Sequence, residues 1–348
     1  MAPISCLRLS LLLPLILLFQ PAAANAAPSL AEAVKQADAK YLEAPDVEGE
    51  DKSPKIEVSG EEEDEEAPPV PEEIAQGAVK AVLSYTEEKS EDGDTMRAPV
   101  VTVFADGKEI AKLTGDAGLG SPPVSVQIAE IDPGNSNPEA VISFYTGGAH
   151  CCSDTSVVTS SPDGSSWTTV DVGEFDGGPL LATDLNGDGR YEFKTRDNAF
   201  LYTFACYACS EAPLEVLTVE NGAVKTITTE ESFKPAHAAW LKTMIANVPD
   251  EDVNGFLAGY VGEKILLGEG KQAWGLMLSY YDKASEWGLE TCDQPLNEDG
   301  ECPGEELTLT FPDALERMLK ENGYKVREMS PKRPGSLVGT RKDRGLLI

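Results

Sequence analysis

The sequence predicts an α+β protein. A domain of repeated β units, propeller-blade-like but too few to close a full ring, precedes a small helical domain. Three observations predict it. Asp106-Gly107, Asp163-Gly164 and Asn221-Gly222 each sit inside a stretch of alternating apolar and polar residues, as in "VVTVFADGKEIAKL". Such dipeptides accept the positive φ angles of tight hairpins. The three turns stand 57 and 58 residues apart, and a period near that length with about four strands per unit marks propeller-type blades. From Lys234 onward the apolar spacing changes to the helical period.

The segments follow in chain order. Residues 1–26 read as an export signal, with Arg8, the apolar run "LSLLLPLILLF" and a small-residue cleavage site at Ala24-Asn25-Ala26. No later apolar run is long enough to span a membrane, so a periplasmic or secreted protein with no integral membrane segment after cleavage is expected. Residues 27–74 are expected to be a disordered acidic segment. Their "EAPDVEGEDKSPKIEVSGEEEDEEAPPVPEE" holds too few apolar residues to offset chain entropy. The β-repeat domain is placed at 75–232.

The helical domain is placed at 233–325. "PAHAAWLKTMIANV" puts Pro235 in a first turn. The stretch from Asp252 to Leu289 reads as a helical hairpin broken at "GEG", and "FPDALERMLKENGY" as a last helix. Residues 326–348 are basic, rich in Pro and Gly, and expected to be a flexible tail. The net charge of −32 over 348 residues argues against a nucleic-acid partner, whose phosphates would repel the chain. It is compatible with cations and with a protein or glycan partner in the cell envelope.

One stretch carries metal chemistry. In "ATDLNGDGRYEF" the oxygen-bearing Asp184, Asn186 and Asp188 fall at every second position, Gly189 permits a sharp turn, and Glu192 follows. Calcium is a hard cation that gathers oxygens from such a turning loop. An EF-hand would need a bidentate Glu at the twelfth position, where Thr195 stands. A weaker copy lies upstream in "VQIAEIDPGNSNPEAVISFY", with Asp132, Asn135, Asn137 and Glu139. Strand, D-x-[DN]-x-D-G-x-x-[DE], then strand resembles the FG-GAP or VCBS repeat of integrin-like β-propellers, over about residues 124–228. That resemblance implies structural calcium held by Asp184, Asn186, Asp188, Glu192 and the Arg190 backbone carbonyl. Asp132, Asn135, Asn137 and Glu139 would form a second site.

Six cysteines follow the signal: Cys151, Cys152, Cys206, Cys209, Cys292 and Cys302. An even count in an exported chain reads as disulfides. Cys292 and Cys302 bound a short loop and form a natural local bridge. Cys151 and Cys152 are expected to cross-pair with Cys206 and Cys209, since bridging a Cys-Cys dipeptide would strain the backbone. The competing reading is a zinc or copper site built from His150 and these sulfurs.

Catalytic motifs are lacking: two histidines, and no G-x-S-x-G, H-E-x-x-H or phosphate-binding glycine loop. His237 sits in an apolar-periodic helix and is expected to pack or cap. The expectation is therefore a calcium-stabilised, non-enzymatic binding or scaffold protein of the envelope. The alternatives are an envelope hydrolase with its site between the β and helical domains, and metal handling through the His150 and cysteine cluster.

Overall fold

The computed structural model describes residues 27–59, 72–90, 92–120, 122–147, 151–176, 178–295, 297 and 299–326. The expected signal, the tail beyond residue 326 and His150 lie outside the described residues. The elements begin with α1 (Leu30–Ala37), β1 (Lys55–Val58), β2 (Glu72–Gln76), β3 (Val79–Lys89), β4 (Thr95–Ala105), β5 (Lys108–Thr114) and β6 (Gly118–Leu119). Then come β7 (Val124–Ala129), β8 (Glu139–Tyr145), β9 (Cys151–Ser160), β10 (Trp167–Asp176), β11 (Ala182–Thr183), β12 (Glu192–Arg196), β13 (Leu214–Glu220) and β14 (Ala223–Thr226). The chain continues with α2 (Lys234–Ala246), α3 (Val253–Leu266), α4 (Gly270–Tyr280), β15 (Glu290–Cys292), β16 (Glu306–Thr308) and α5 (Phe311–Glu321).

Three sheets are antiparallel meanders in chain order: β2-β3-β4-β5, β7-β8-β9-β10 and β11-β12-β13-β14. Each hairpin turn read from the sequence joins the third and fourth strands of its own sheet. Asp106 and Gly107 have φ of 48° and 77°, and Asn221 and Gly222 have 53° and 73°. These are the paired positive angles that a two-residue turn between right-twisted strands needs. The first sheet is a full four-stranded meander whose last hairpin carries the Asp106-Gly107 turn. Among the described residues no sheet closes into a barrel, so the α+β class stands.

The sheets pack face to face in sequence order. Val79, Leu83, Val101 and Val103 of the first sheet share a core with Val124, Val126, Ile128 and Ile142 of the second. On the second sheet's other face, Val141, Val157 and Val172 meet Ala182, Phe193, Leu217 and Val219 of the third. The middle sheet is thus covered on both sides, and every residue of β7 is buried. That explains why "VSVQIA" shows little of the clean alternation expected of a sheet with one wet face. The third sheet turns Leu214 and Val216 toward Phe233 and Ala236 at the start of the helices. The helices therefore cover the end of the stack.

Residues 27–74 correct the expectation of disorder wherever they are described. Ser29 opens α1 with a capping box: its hydroxyl accepts the Glu32 N–H, and Glu32 accepts the Ser29 N–H at 2.9 Å. Leu30 and Val34 are buried in the helical core. β1 pairs antiparallel with β7, so Ile56 enters the core between the first two sheets. Average composition misjudged this stretch because a few apolar residues suffice when partners elsewhere in the chain complete their burial.

α3 is buried on nearly all sides, and glycine makes that possible. A Cβ at Gly259 would lie 2.3 Å from the Glu211 carbonyl oxygen, and one at Gly255 would lie 2.5 Å from that of Cys209. The helix backbone rests directly on the strand-free segment between β12 and β13.

Candidate calcium loops and an interdomain cleft

Both acidic loops join the first strand of a meander to the second. Thr183 pairs with Glu192 and Ala129 with Glu139. Counting from these pairs, Glu130 takes the place of Asp184, Ile131 that of Leu185, and Asp132 that of Asn186. The hydrogen bonds agree: Leu185 N–H donates to Glu192 Oε2 at 3.0 Å, and Ile131 N–H to Glu139 Oε2 at 2.8 Å. The sequence had aligned Asp132 with Asp184, two positions off, and had missed Glu130. Anchoring the comparison on Glu139 and Glu192, with the D-x-N of one loop against the E-x-D of the other, would have found it.

In the better loop the side chains hold the turn. Asp184 Oδ1 accepts the N–H groups of Gly187 and Asp188 at 2.7 and 3.1 Å, and its Oδ2 that of Gly189 at 2.9 Å. Asn186 Oδ1 accepts the Asp188 N–H, and Asp188 Oδ1 the Arg190 N–H, each at 2.9 Å. Gly187 and Gly189 have φ of 79° and 90°, which only glycine adopts freely. Asp184 and Glu192 are buried, whereas Asp188 and Arg190 are exposed. Burial pushes the Glu192 carboxyl up to about 7, the Leu185 N–H works against this, and the Asp188 and Asp184 charges add to it.

The upstream loop is more completely satisfied. Buried Glu139 accepts from the Ile131 and Asp132 N–H groups, from Asn135 Nδ2 at 2.9 Å and from Thr159 Oγ1 at 3.0 Å. Its carboxyl is still raised, burial outweighing those bonds. Asn137 Nδ2 donates to Ser160 Oγ at 3.0 Å. The two loops touch: Tyr191 N–H donates to the Glu130 carbonyl at 2.8 Å.

The donors of the Asp184 loop suit calcium in kind. Asp184, Asn186, Asp188 and Glu192 supply oxygen only, and Glu192 gains from a cation that draws its proton away. Their carboxylates nevertheless bind the loop's own N–H groups and are not gathered on one point. Among the described residues, the group of three ligating side chains within 4.8 Å of one another is Cys292, Asp293 and Cys302.

Two of those three are joined in a disulfide, as are Cys206 and Cys209. Oxidised sulfurs are not thiolate ligands, which removes Cys206 and Cys209 from the donors of the soft-metal reading. The local Cys292–Cys302 bridge is as expected. Cross-pairing of the upstream cysteines with Cys206 and Cys209 is not what the fold makes. Cys206 and Cys209 lie on one tight turn, Cα atoms 5.0 Å apart, within bridging reach of each other. Cys152, on β9 of another sheet, is disulfide-bonded independently of them.

A cleft of about 440 Å³ opens between the third sheet and the helices. It is lined by Asp197, Leu214, Glu215, Thr226, Ile265 and Tyr324, among others. This is where the hydrolase alternative placed its site. The ladder sets Glu215 opposite Thr195, two residues before Asp197. Asp197 is engaged, accepting Tyr324 Oη–H at 2.7 Å and the Ala199 N–H at 3.0 Å. Burial and the Asp197 charge push the Glu215 carboxyl up to about 7. Sequence reasoning missed this pair. Neither acid belongs to a motif, and only strand register brings them together.

A stack of antiparallel meanders capped by helices, with acidic loops between first and second strands, defines an α+β protein of the β-meander type. Among its described residues no helix is long and apolar enough to cross a membrane. Residues 236–323, from α2 through α5, match the family described as "sll0997 C-terminal domain". The chain is 40% identical over 256 residues to a Synechocystis protein described as "Probable thylakoid lumen protein sll0997", covering 72% of this chain and 75% of that one. It belongs to the same family as that protein. An uncharacterised protein of Sinorhizobium fredii, y4bJ, is 36% identical over 247 residues, 67% of this chain and 38% of that longer one. No solved structure matches the chain.

Proposed function

We propose that this protein is a calcium-stabilised, non-enzymatic binding or scaffold protein of an exported compartment, the lumen side of a thylakoid or its topological equivalent, the periplasm. The observation that carries the calcium reading is the buried Glu192 carboxyl beside Asp184 and Asp188, held near 7 by burial and by those charges. A loop that crowds acids without a cation beside them stabilises their protonated forms. Asp184, Asn186, Asp188, Glu192 and the Arg190 carbonyl would hold the ion, and Glu130, Asp132, Asn135 and Glu139 a weaker one. Calcium there would neutralise the loop and brace the turn between strands, as the FG-GAP/VCBS resemblance implies. The description of the Synechocystis relative supports the compartment, and the disulfides suit an oxidising one. The partner class is a protein or a glycan of that compartment.

The test is thermal melting at pH 8 with and without calcium. Millimolar calcium raises the midpoint of the wild type and leaves Glu192→Gln nearly unmoved. A wild-type midpoint indifferent to millimolar calcium would sink the calcium reading.

A further inference from the structure

We propose that the cleft between the third sheet and the helices is a binding site for an organic cation, a guanidinium or primary ammonium on a short apolar stem, seated on Glu215. The proposal is independent of the calcium loops, which lie between other strands of the stack.

The cleft's size, about 440 Å³, falls in the range of small-molecule sites, which favour domain junctions. Its two acids are differently placed. Asp197 is occupied by the Tyr324 hydroxyl and the Ala199 N–H. The Glu215 side chain makes no hydrogen bond or ion pair to any described residue, although it is more than half covered. A half-buried carboxyl without a partner is costly to ionise, and an incoming cation supplies what is missing. The walls fit a stem: Leu214, Ile265 and Leu266 are apolar, and Thr226 and Thr229 offer hydroxyls at the rim.

The charges facing the cleft agree in sign with one exception. Asp197 and Glu215 come from the sheet. Tyr324, following α5, is held as a neutral phenol, its acidity suppressed by burial and by the charges of Asp197, Glu263 and Glu215. Glu263 of α3 is itself bound to His237 of α2. Among the described lining residues, the exposed Lys325 is the one cation. Binding then displaces the proton that Glu215 carries near neutrality.

The experiment uses the full chain and agmatine, at constant calcium, in isothermal titration calorimetry with buffers of different ionisation enthalpy. Agmatine binds, releases close to one proton at pH 6, and gains about tenfold in affinity from pH 6 to pH 8. Glu215→Gln, shown to be folded by its melting curve, loses that pH dependence and at least tenfold of the affinity at pH 8. A blocked Gly-Arg-Gly peptide, binding tighter than agmatine, would identify an arginine on a partner protein as the natural occupant. The reverse order would identify a free amine. No agmatine heat at millimolar concentration, an affinity that does not change with pH, or equal binding by Glu215→Gln would each overturn the proposal. So would a neutral polyol, mannitol, binding as well as agmatine does.

Discussion

His237 and Glu263 meet with both side chains buried, Nδ1 of one 2.7 Å from Oε1 of the other. The imidazole's Nε2 donates to the Thr228 carbonyl at 2.9 Å, and Glu263 Oε2 accepts the Leu214 N–H at 2.9 Å. The pair thus ties α2 and α3 to the third sheet. Because Nε2 must carry a proton, Nδ1 and the carboxyl share a second one. Removing either partner leaves the other buried and uncompensated, so His237→Ala or Glu263→Ala costs about 3–5 kcal/mol, measured as a shift in urea midpoint.

The same pair predicts a pH dependence. Burial pulls the His237 pKa down, but the Glu263 hydrogen bond and charge and the Thr228 carbonyl outweigh it, and the net shift is upward from 6.5. The folded protein therefore holds this proton more tightly than the unfolded chain. Its contribution to stability is complete below pH 6.5 and is lost as pH rises through the folded value. Urea melts of wild type and His237→Gln should converge on the alkaline side and diverge on the acid side.

Glu192 gives a second window. Its carboxyl is raised from 4.5 to about 7, so between these values the folded state binds a proton that the unfolded chain has released. Without calcium, stability falls as pH rises from about 4.5 to about 7 and levels off above. Glu215 acts in the same window with the same sign. Calcium favours the ionised form, so the midpoint gain from millimolar calcium should be larger at pH 8 than at pH 5. Glu192→Gln removes part of the calcium-free slope and most of the calcium gain. An equal calcium gain at both pH values would count against the Asp184 loop as its site.

The hairpins and helices were legible because their signals are local. Asn221-Gly222 demands positive φ wherever it stands, and Pro235 and Pro312 sit in first turns of α2 and α5. Their spacing also carried the repeat length, since each turn occupies one position of a meander. What was illegible depended on contacts between distant segments. Glu130 emerges only when Ala129 is paired with Glu139, because the upstream loop is one residue longer and defeats alignment by eye. Asp197 and Glu215 are 18 residues apart and meet through strand register. The stretch "SLAEAVKQADAKYLEA" shows the helical spacing of α1, but not where that helix docks, because the residues that complete its burial lie more than two hundred positions away.

That last relationship is testable at Asp38. Its carboxylate accepts the Tyr260 hydroxyl at 2.6 Å and pairs with Lys264, and both Asp38 and Lys264 are fully buried. Glu269 also binds Lys264, so the lysine keeps one partner if Asp38 is lost. Asp38→Ala is expected to cost about 3 kcal/mol, the low end for breaking a buried pair. It should also strip hydrogen-exchange protection from α1 before the rest of the helical domain. A chain in which residues 30–42 carry no protection to begin with would contradict the docking of this segment.

Two glycines on neighbouring helices should respond in opposite directions to the same substitution. Gly259 of α3 faces the Glu211 backbone, and an added methyl would sit 2.3 Å from its carbonyl oxygen and 2.9 Å from the Ala212 nitrogen. Backbone cannot swing aside as a side chain can, so Gly259→Ala must push the helix off the segment that carries Cys209 and Glu211. The expected cost is about 3 kcal/mol, the upper part of the overpacking range. Gly275 of α4 has nothing within 4 Å of where its Cβ would lie, and its φ is ordinary. There alanine removes only unfolded-state freedom, so Gly275→Ala should stabilise by about 0.5–1 kcal/mol. Chemical denaturation of the two single variants reads both effects. If Gly259→Ala were neutral, the close approach of α3 to the Glu211 backbone would be disproved, whatever Gly275→Ala does.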